Sequence, residues 1–240
     1  LTGAQPSGYL RFVPTPYSWF AYLGLMVVAA ALLFGFRHAP DAPAINFVFD
    51  GALFMLYMAV HYVMLTPAWK RLVTGRERGS MAERRVYIAV AVLSWVGLYA
   101  VHRPLPGPAY ALPAWVTYFG ICCFLLSFLA FLEGATFERL AGLLGIPGAE
   151  QAWSAAADTP LMTQGSYASV RHPMYRGATF MCLSSVLVHP NAAQLVWAIG
   201  VALTFVLFIP IEERQLLRTR GEEYRAYMQI TRYRLLRGLW

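Results

Sequence analysis

A chain of 240 residues, 58% of them hydrophobic and only 13% charged, lacks the polar surface of a water-soluble domain, where about a quarter of residues are charged. Its net charge of +7 would suit a nucleic-acid binder, but the cations stand beside long apolar runs, which assigns them to membrane headgroups instead. Cys122, Cys123 and Cys182 fall inside those runs and have neither a disulfide framework nor metal-ligand spacing, so no metal site is expected.

A helix needs about 20 apolar residues to cross the hydrocarbon core, and its backbone groups must bond to one another there. Residues 18–36 form the first such run, longer and more central than a cleaved signal. Residues 45–65 form the second and carry Asp50 and His61. The third, 86–101, is short, and the fourth, 114–132, is strong. Residues 175–188 and 193–210 are separated only by His189-Pro190-Asn191 and its neighbours, which predicts a tight helical hairpin. No internal repeat or low-complexity stretch interrupts the pattern.

Charge sets the expected orientation. Lys70, Arg71, Arg76, Arg78, Arg84 and Arg85 crowd the segment before the third span, and Arg214, Arg218, Arg220, Arg225, Arg232, Arg234 and Arg237 follow the sixth. The connections 37–44 and 102–113 hold one arginine each. Basic connections stay in the cytoplasm. The expectation is therefore an all-α polytopic bundle of about six transmembrane helices in the inner (cytoplasmic) membrane, with both termini and the 66–85 and 133–174 segments cytoplasmic. Residues 1–240 read as a single membrane domain, with no particular oligomeric state implied.

Ionisable residues inside a span mark function by default. Asp50 and His61 lie 11 residues apart, three helical turns, and share one face. Asp50 reads as a polar residue near the outer end of its helix. His61 has two readings: a packed histidine bonded to a backbone carbonyl, or a functional base near the cytoplasmic interface.

A denser group follows. Arg171, His172 and Pro173 come immediately before the fifth span. Proline suits the first turn of a helix, and the open amides of such a turn favour an anion. Alone, these residues would equally suit a snorkelling basic cap. Their partner is Ile211-Glu212-Glu213-Arg214, which a hairpin returns to the same side, followed by Gly221, Glu222, Glu223, Tyr224 and Tyr227 on an amphipathic tail. Cations, paired carboxylates and tyrosines together suit a zwitterionic ligand carrying a ribose.

Taken together, Gly165-x-Tyr167-x-x-x-Arg171-His172-Pro173-x-Tyr175-x-Gly177, then Glu212-Glu213-x-x-Leu216 and Gly221-x-x-Tyr224-x-x-Tyr227 resemble the isoprenylcysteine carboxyl methyltransferase and phospholipid methyltransferase superfamily over about residues 159–234. The resemblance implies S-adenosylmethionine at the cytoplasmic face, contacted by Leu161, Thr163, Gly165, Tyr167, Arg171, His172, Pro173, Tyr175, Glu212, Glu213 and Tyr224. It makes 159–240 the cofactor-binding part and 17–132 a four-helix substrate side. Upstream, Asp50, Val60-His61-Tyr62-Val63-Met64, Pro67-x-x-Lys70-Arg71, Ala82-Glu83-Arg84-Arg85-x-Tyr87 and Arg103-Pro104-Leu105-Pro106 resemble the NnrU-type branch, which includes methanethiol S-methyltransferases. Three features depart from the family patterns: Thr159 replaces a histidine, Val60 replaces a glutamine, and 133–142 reproduces a polar signature poorly.

The reaction expected from this resemblance is in-line attack on a sulfonium methyl by a small thiol or other lipophilic acceptor arriving from the bilayer. His61, Arg171 and Glu213 are its catalytic candidates. His61 is the expected base, because a thiol attacks as its thiolate and an imidazole titrates near neutrality. Other readings of the same residues are an NADPH-dependent sterol-type reductase, a haem-binding NnrU-type isomerase with His61 as axial ligand, and a non-catalytic assembly factor.

Overall fold

The computed structural model describes residues 15–75, 80–133, 137–149 and 161–240, so Thr159, Arg76 and Arg78 lie outside the described residues. Regular structure there is helical, apart from two isolated bridges between loops.

Helix α1 (Pro16–Phe34) opens with Thr15, whose hydroxyl accepts from the Ser18 amide at 3.2 Å, and with Pro16 in its first turn. It stops at Gly35, where φ of +84° suits glycine. Helix α2 (Ile45–Leu65) has the expected bounds. A short α3 (Pro67–Thr74) follows, capped by Thr66 and closed by Gly75 in the left-handed region. Helix α4 (Met81–Val101) begins five residues before the predicted 86–101, because Ser80 caps it and accepts from the Glu83 amide at 3.1 Å. The charged Glu83-Arg84-Arg85 triplet forms its first turns rather than a loop.

Helix α5 (Ala114–Glu133), α6 (Phe137–Leu143), a 3₁₀ turn (Gly165–Ala168), α7 (Pro173–Val188), α8 (Ala192–Arg220) and α9 (Glu222–Ile230) complete the described order. The expectation that the sixth segment ends at Pro210 is corrected: α8 continues through it to Arg220. Proline removes one amide bond from the helix, but the neighbouring turns hold, and the polar residues after it mark the edge of the apolar zone rather than the end of the helix.

Among the described residues, five helices, α1, α2, α4, α5 and α8, are long and apolar enough to cross a membrane. Helix α7 has only 16 residues, about 24 Å at 1.5 Å per residue, short of the roughly 30 Å core. The polytopic helical bundle is as expected, with α7 the shortest of the helices matched to the six apolar runs. Buried Gly177, Ala178, Met181, Cys182, Ser184 and Ser185 show how α7 is enclosed. Gly120 and Gly177 let α5 and α7 approach backbone to backbone: an added Cβ at Gly177 would stand 2.6 Å from the Phe131 nitrogen.

At one end of the bundle the connections 35–44, 102–113 and 189–191 lock together. Leu105 donates its amide to the Arg37 carbonyl at 3.1 Å, and Tyr110 to that of Pro190 at 2.7 Å. Gln194 donates to the Ser185 hydroxyl at 2.6 Å and accepts from the Phe36 amide at 3.0 Å. Asp50 Oδ1 accepts from the Arg103 amide at 2.9 Å, as suits a polar residue at the end of its helix. His189 meets the Leu33 carbonyl at 2.8 Å, so α7 reaches the same end as α1 despite its length. With this end sealed, the ends of α2, α7 and α8 that carry His61, Arg171 and Glu213 are gathered at the opposite one.

Candidate functional site

Arg171 and His172 lead into α7, while Glu212 and Glu213 lie on α8 just past Pro210. The antiparallel hairpin brings the pairs together, as expected. Arg171 Nε donates to Glu213 Oε1 at 2.7 Å, and His172 Nε2 lies 3.3 Å from the same oxygen. Glu213 Oε2 accepts from Arg234 Nε at 3.0 Å and lies 2.9 Å from its Nη2. One buried carboxylate therefore gathers two guanidinium groups and an imidazole.

Arg171 has further partners in the segment after α9. Its Nη1 donates to the carbonyls of Thr231 at 2.9 Å and Arg232 at 2.7 Å. The Arg171 amide donates to the Tyr233 carbonyl at 2.8 Å, and the His172 amide to that of Arg234 at 3.0 Å. The amides of Arg171 and His172, just before the first turn of α7, are thus taken by residues 233–234. Pro173 itself is buried in the first turn of α7.

Two polar atoms in this cluster make no hydrogen bond. Glu212, whose side chain is 44% exposed, brings Oε2 to 3.6 Å from His172 Nδ1, an ion-pair distance, but that buried oxygen accepts no hydrogen bond. The Tyr224 hydroxyl is likewise buried and unbonded, on a residue only 1% exposed. Burial pushes the Tyr224 phenol up, so it keeps its proton and remains a donor. Burial alone would depress the His172 imidazole, but the carboxylates of Glu212 and Glu213 more than reverse this and raise it above its ordinary value. The Tyr175 ring stacks on His172 at 5.6 Å and 10°.

The residues before the hairpin surround this cluster. The Leu161 amide donates to Glu223 Oε1 at 2.6 Å, and this bond, with Arg220 nearby, holds the Glu223 carboxyl below the usual carboxylate range. Tyr227 donates to the Tyr167 carbonyl at 2.8 Å, and the Thr231 hydroxyl lies 3.3 Å from the same oxygen. Thr163 and Gly165 are exposed, and an added Cβ on Gly165 would meet only open space. Its φ of +63° lets the chain turn into the 3₁₀ segment.

His61 lies apart from this cluster. Its Nδ1 meets the Tyr57 carbonyl at 2.8 Å, and its Nε2 is buried without a partner. The ring packs against Tyr57, with centroids 4.1 Å apart, and edge-on to Tyr87 at 5.6 Å. The Arg84 guanidinium covers Tyr87 at 4.9 Å.

Residues 231–234 were not among the candidate site residues, yet the simpler reading of Glu212 and Glu213 as interfacial charges bonded to tail arginines is met by Glu213 and Arg234. The available signal was an imbalance: two adjacent glutamates need more than one arginine if they are to be buried.

Residues 115–222 match the family model for phospholipid methyltransferase. That stretch runs from α5 to the start of α9; it contains Arg171, His172, Glu212 and Glu213 but neither His61 nor residues 231–234. The match points to a membrane methyltransferase. No curated protein and no solved structure matches the chain.

Proposed function

We propose that this chain is an integral membrane methyltransferase that uses S-adenosylmethionine to methylate a small thiol or another small lipophilic acceptor. The observation that carries this reading is a pair of buried polar atoms without a hydrogen bond, Glu212 Oε2 and, two residues past the family match, the Tyr224 hydroxyl, close to the matched Arg171, His172 and Glu213. A buried acceptor and a buried donor without partners are costly, and vicinal hydroxyls of a ribose would satisfy both. The residues present therefore fit the cofactor. When bound, S-adenosylmethionine supplies an activated methyl group on a sulfonium.

In this reading Glu212 and Tyr224 bind the ribose, while Arg171 and Glu213 hold the frame on which they stand. Tyr175 presents an aromatic face suited to a sulfonium, and Leu161, Thr163, Gly165 and Tyr167 border the open side. Pro173 and His172 set the entry of α7. Most of the rate enhancement comes from holding donor and acceptor in line.

The thiol assignment rests on the resemblance to the methanethiol branch and on the tautomer of His61. A carbonyl only accepts, so Nδ1 carries the imidazole proton, and the lone pair of the neutral ring lies on Nε2. An S–H brought there would lose its proton to Nε2, leaving the acceptor as the thiolate that methyl transfer from the bound cofactor would require. By the distribution of lysine and arginine, the end bearing α3, α6 and α9 is the cytoplasmic one.

The free Nε2 also keeps haem ligation as a second reading, which a Soret band on the purified protein would support. The reductase reading loses ground, because Arg171 and Arg234 are bound to Glu213 rather than open to a phosphate.

The test is calorimetric titration of the detergent-purified chain with S-adenosylhomocysteine and, separately, with NADPH. Binding of the first alone, weakened in Glu212→Gln, supports the methyltransferase. Binding of NADPH alone, or of neither, overturns it.

A further inference from the structure

Arg234 lies 12 residues beyond the end of the family match and on no regular helix, yet it reaches into the centre of the candidate site. Its Nε and Nη2 both address Glu213 Oε2, at 3.0 and 2.9 Å, while Arg171 takes Oε1 at 2.7 Å. The Arg234 carbonyl also receives the His172 amide at 3.0 Å. Its guanidinium lies 5.2 Å from the centre of the Trp240 ring. The side chain is therefore fixed at both ends, and it closes the side of Glu213 that Arg171 leaves open.

We infer that Arg234 is a positioning residue of the cofactor site, acting through Glu213 on the neighbouring Glu212. The inference rests on the methyltransferase reading above. Both oxygens of Glu213 are spent on cations, so Glu213 serves as a rigid post. Glu212, adjacent on the same helix and partly exposed, then keeps Oε2 buried beside His172 and free of any hydrogen bond. Without Arg234, Glu213 Oε2 loses its two charged contacts, and the carboxylate is free to rotate about its bond to Arg171. The two glutamates then have alternative ways of sharing His172, which sits 3.3 Å from Glu213 and 3.6 Å from Glu212. The orientation of Glu212 toward a ribose is what Arg234 protects, and for this the charge is essential while the fork is an advantage. The site thus extends past the hairpin motif into 231–234.

The experiment is titration of S-adenosylhomocysteine into the full-length wild-type chain and the Arg234→Ala, Arg234→Lys and Arg218→Ala variants, with thermal unfolding of each measured without ligand. Arg218 is exposed and serves as the charge control. The expected result is affinity roughly tenfold weaker in Arg234→Ala, recovered to within about threefold by Arg234→Lys, and unchanged in Arg218→Ala. Wild-type affinity in Arg234→Ala would overturn the inference while leaving the methyltransferase reading intact. So would equal losses in the alanine and lysine variants. No binding to the wild-type chain would sink the cofactor reading itself, and this inference with it. If Arg234→Ala does not fold, Arg234→Lys decides: retained binding supports the role, and lost binding in a chain that melts like the wild type overturns it.

Discussion

Arg171 donates its Nε to Glu213 Oε1 across 2.7 Å, and the two side chains keep only 6% and 5% of their surface exposed. Two charges at that depth recover their desolvation only through close geometry and satisfied neighbours. Both conditions hold here: Arg171 also reaches two carbonyls, and Glu213 also reaches Arg234 and His172. Removing one partner is therefore much worse than never having had the pair.

Glu213→Ala strands the buried Arg171 guanidinium, and also unpairs the partly exposed Arg234, and should cost about 3–5 kcal/mol of stability. Glu213→Gln keeps an acceptor and should cost less. Thermal unfolding in detergent, compared with Glu222→Ala on the exposed face of α9, measures this difference. An unchanged melting temperature in Glu213→Ala would mean that the clamp contributes nothing.

His172 couples the same cluster to pH. Its folded value is raised, because the nearby carboxylates outweigh burial, so the protonated imidazole favours the folded state. That stabilisation is complete below the unfolded value, about 6.5. It fades as pH rises through the higher folded value. Stability should thus fall on going upward from about pH 6.5, and His172→Gln should remove that part of the slope. Melting curves of both proteins across neutral and mildly alkaline pH test it; parallel curves would show that His172 does not titrate in this way.

His61 separates chemistry from cofactor binding. His61→Ala should leave S-adenosylhomocysteine affinity within about twofold and reduce turnover of a thiol by roughly 10²–10⁴, the usual range for a general base. Thiols with lower pKa, already ionised at neutral pH, should lose less. A variant that turns over every thiol at the wild-type rate would remove His61 from the mechanism. Loss of cofactor affinity would place it in the other half of the site.

What the sequence made legible follows from where its signal lies. Apolar runs marked α2 and α5 almost to the residue, because their ends coincide with the ends of the apolar zone. The same criterion missed the start of α4 and the last turns of α8, where charged residues continue a helix beyond that zone. The meeting of Arg171 and His172 with Glu212 and Glu213 was readable, since a hairpin returns to the side it left. The capture of Arg171 by Thr231 and Arg232 was not, because those contacts run through backbone carbonyls that every residue carries. Nor does side-chain identity tell which of two adjacent glutamates faces the cations.

The α5–α7 crossing gives a final prediction that depends on shape alone. A Cβ at Gly177 would lie 2.6 Å from the Phe131 nitrogen and 2.8 Å from its Cα, and backbone atoms in a helix have little room to give way. Gly97 on α4 has nothing within 4 Å of the same added atom. Alanine is the better helix former by about 1 kcal/mol, so Gly97→Ala should match or exceed wild-type stability. Gly177→Ala must instead push the two helices apart, and overpacking of this kind costs about 1–3 kcal/mol. Since α7 begins at Pro173, one turn before Gly177, the displacement should also reach His172 and weaken S-adenosylhomocysteine binding. Thermal unfolding and ligand titration of the two variants side by side measure both effects. Equal behaviour of Gly177→Ala and Gly97→Ala would mean that the close α5–α7 contact does not hold α7 in place, and that the site is set by the Glu213 clamp alone.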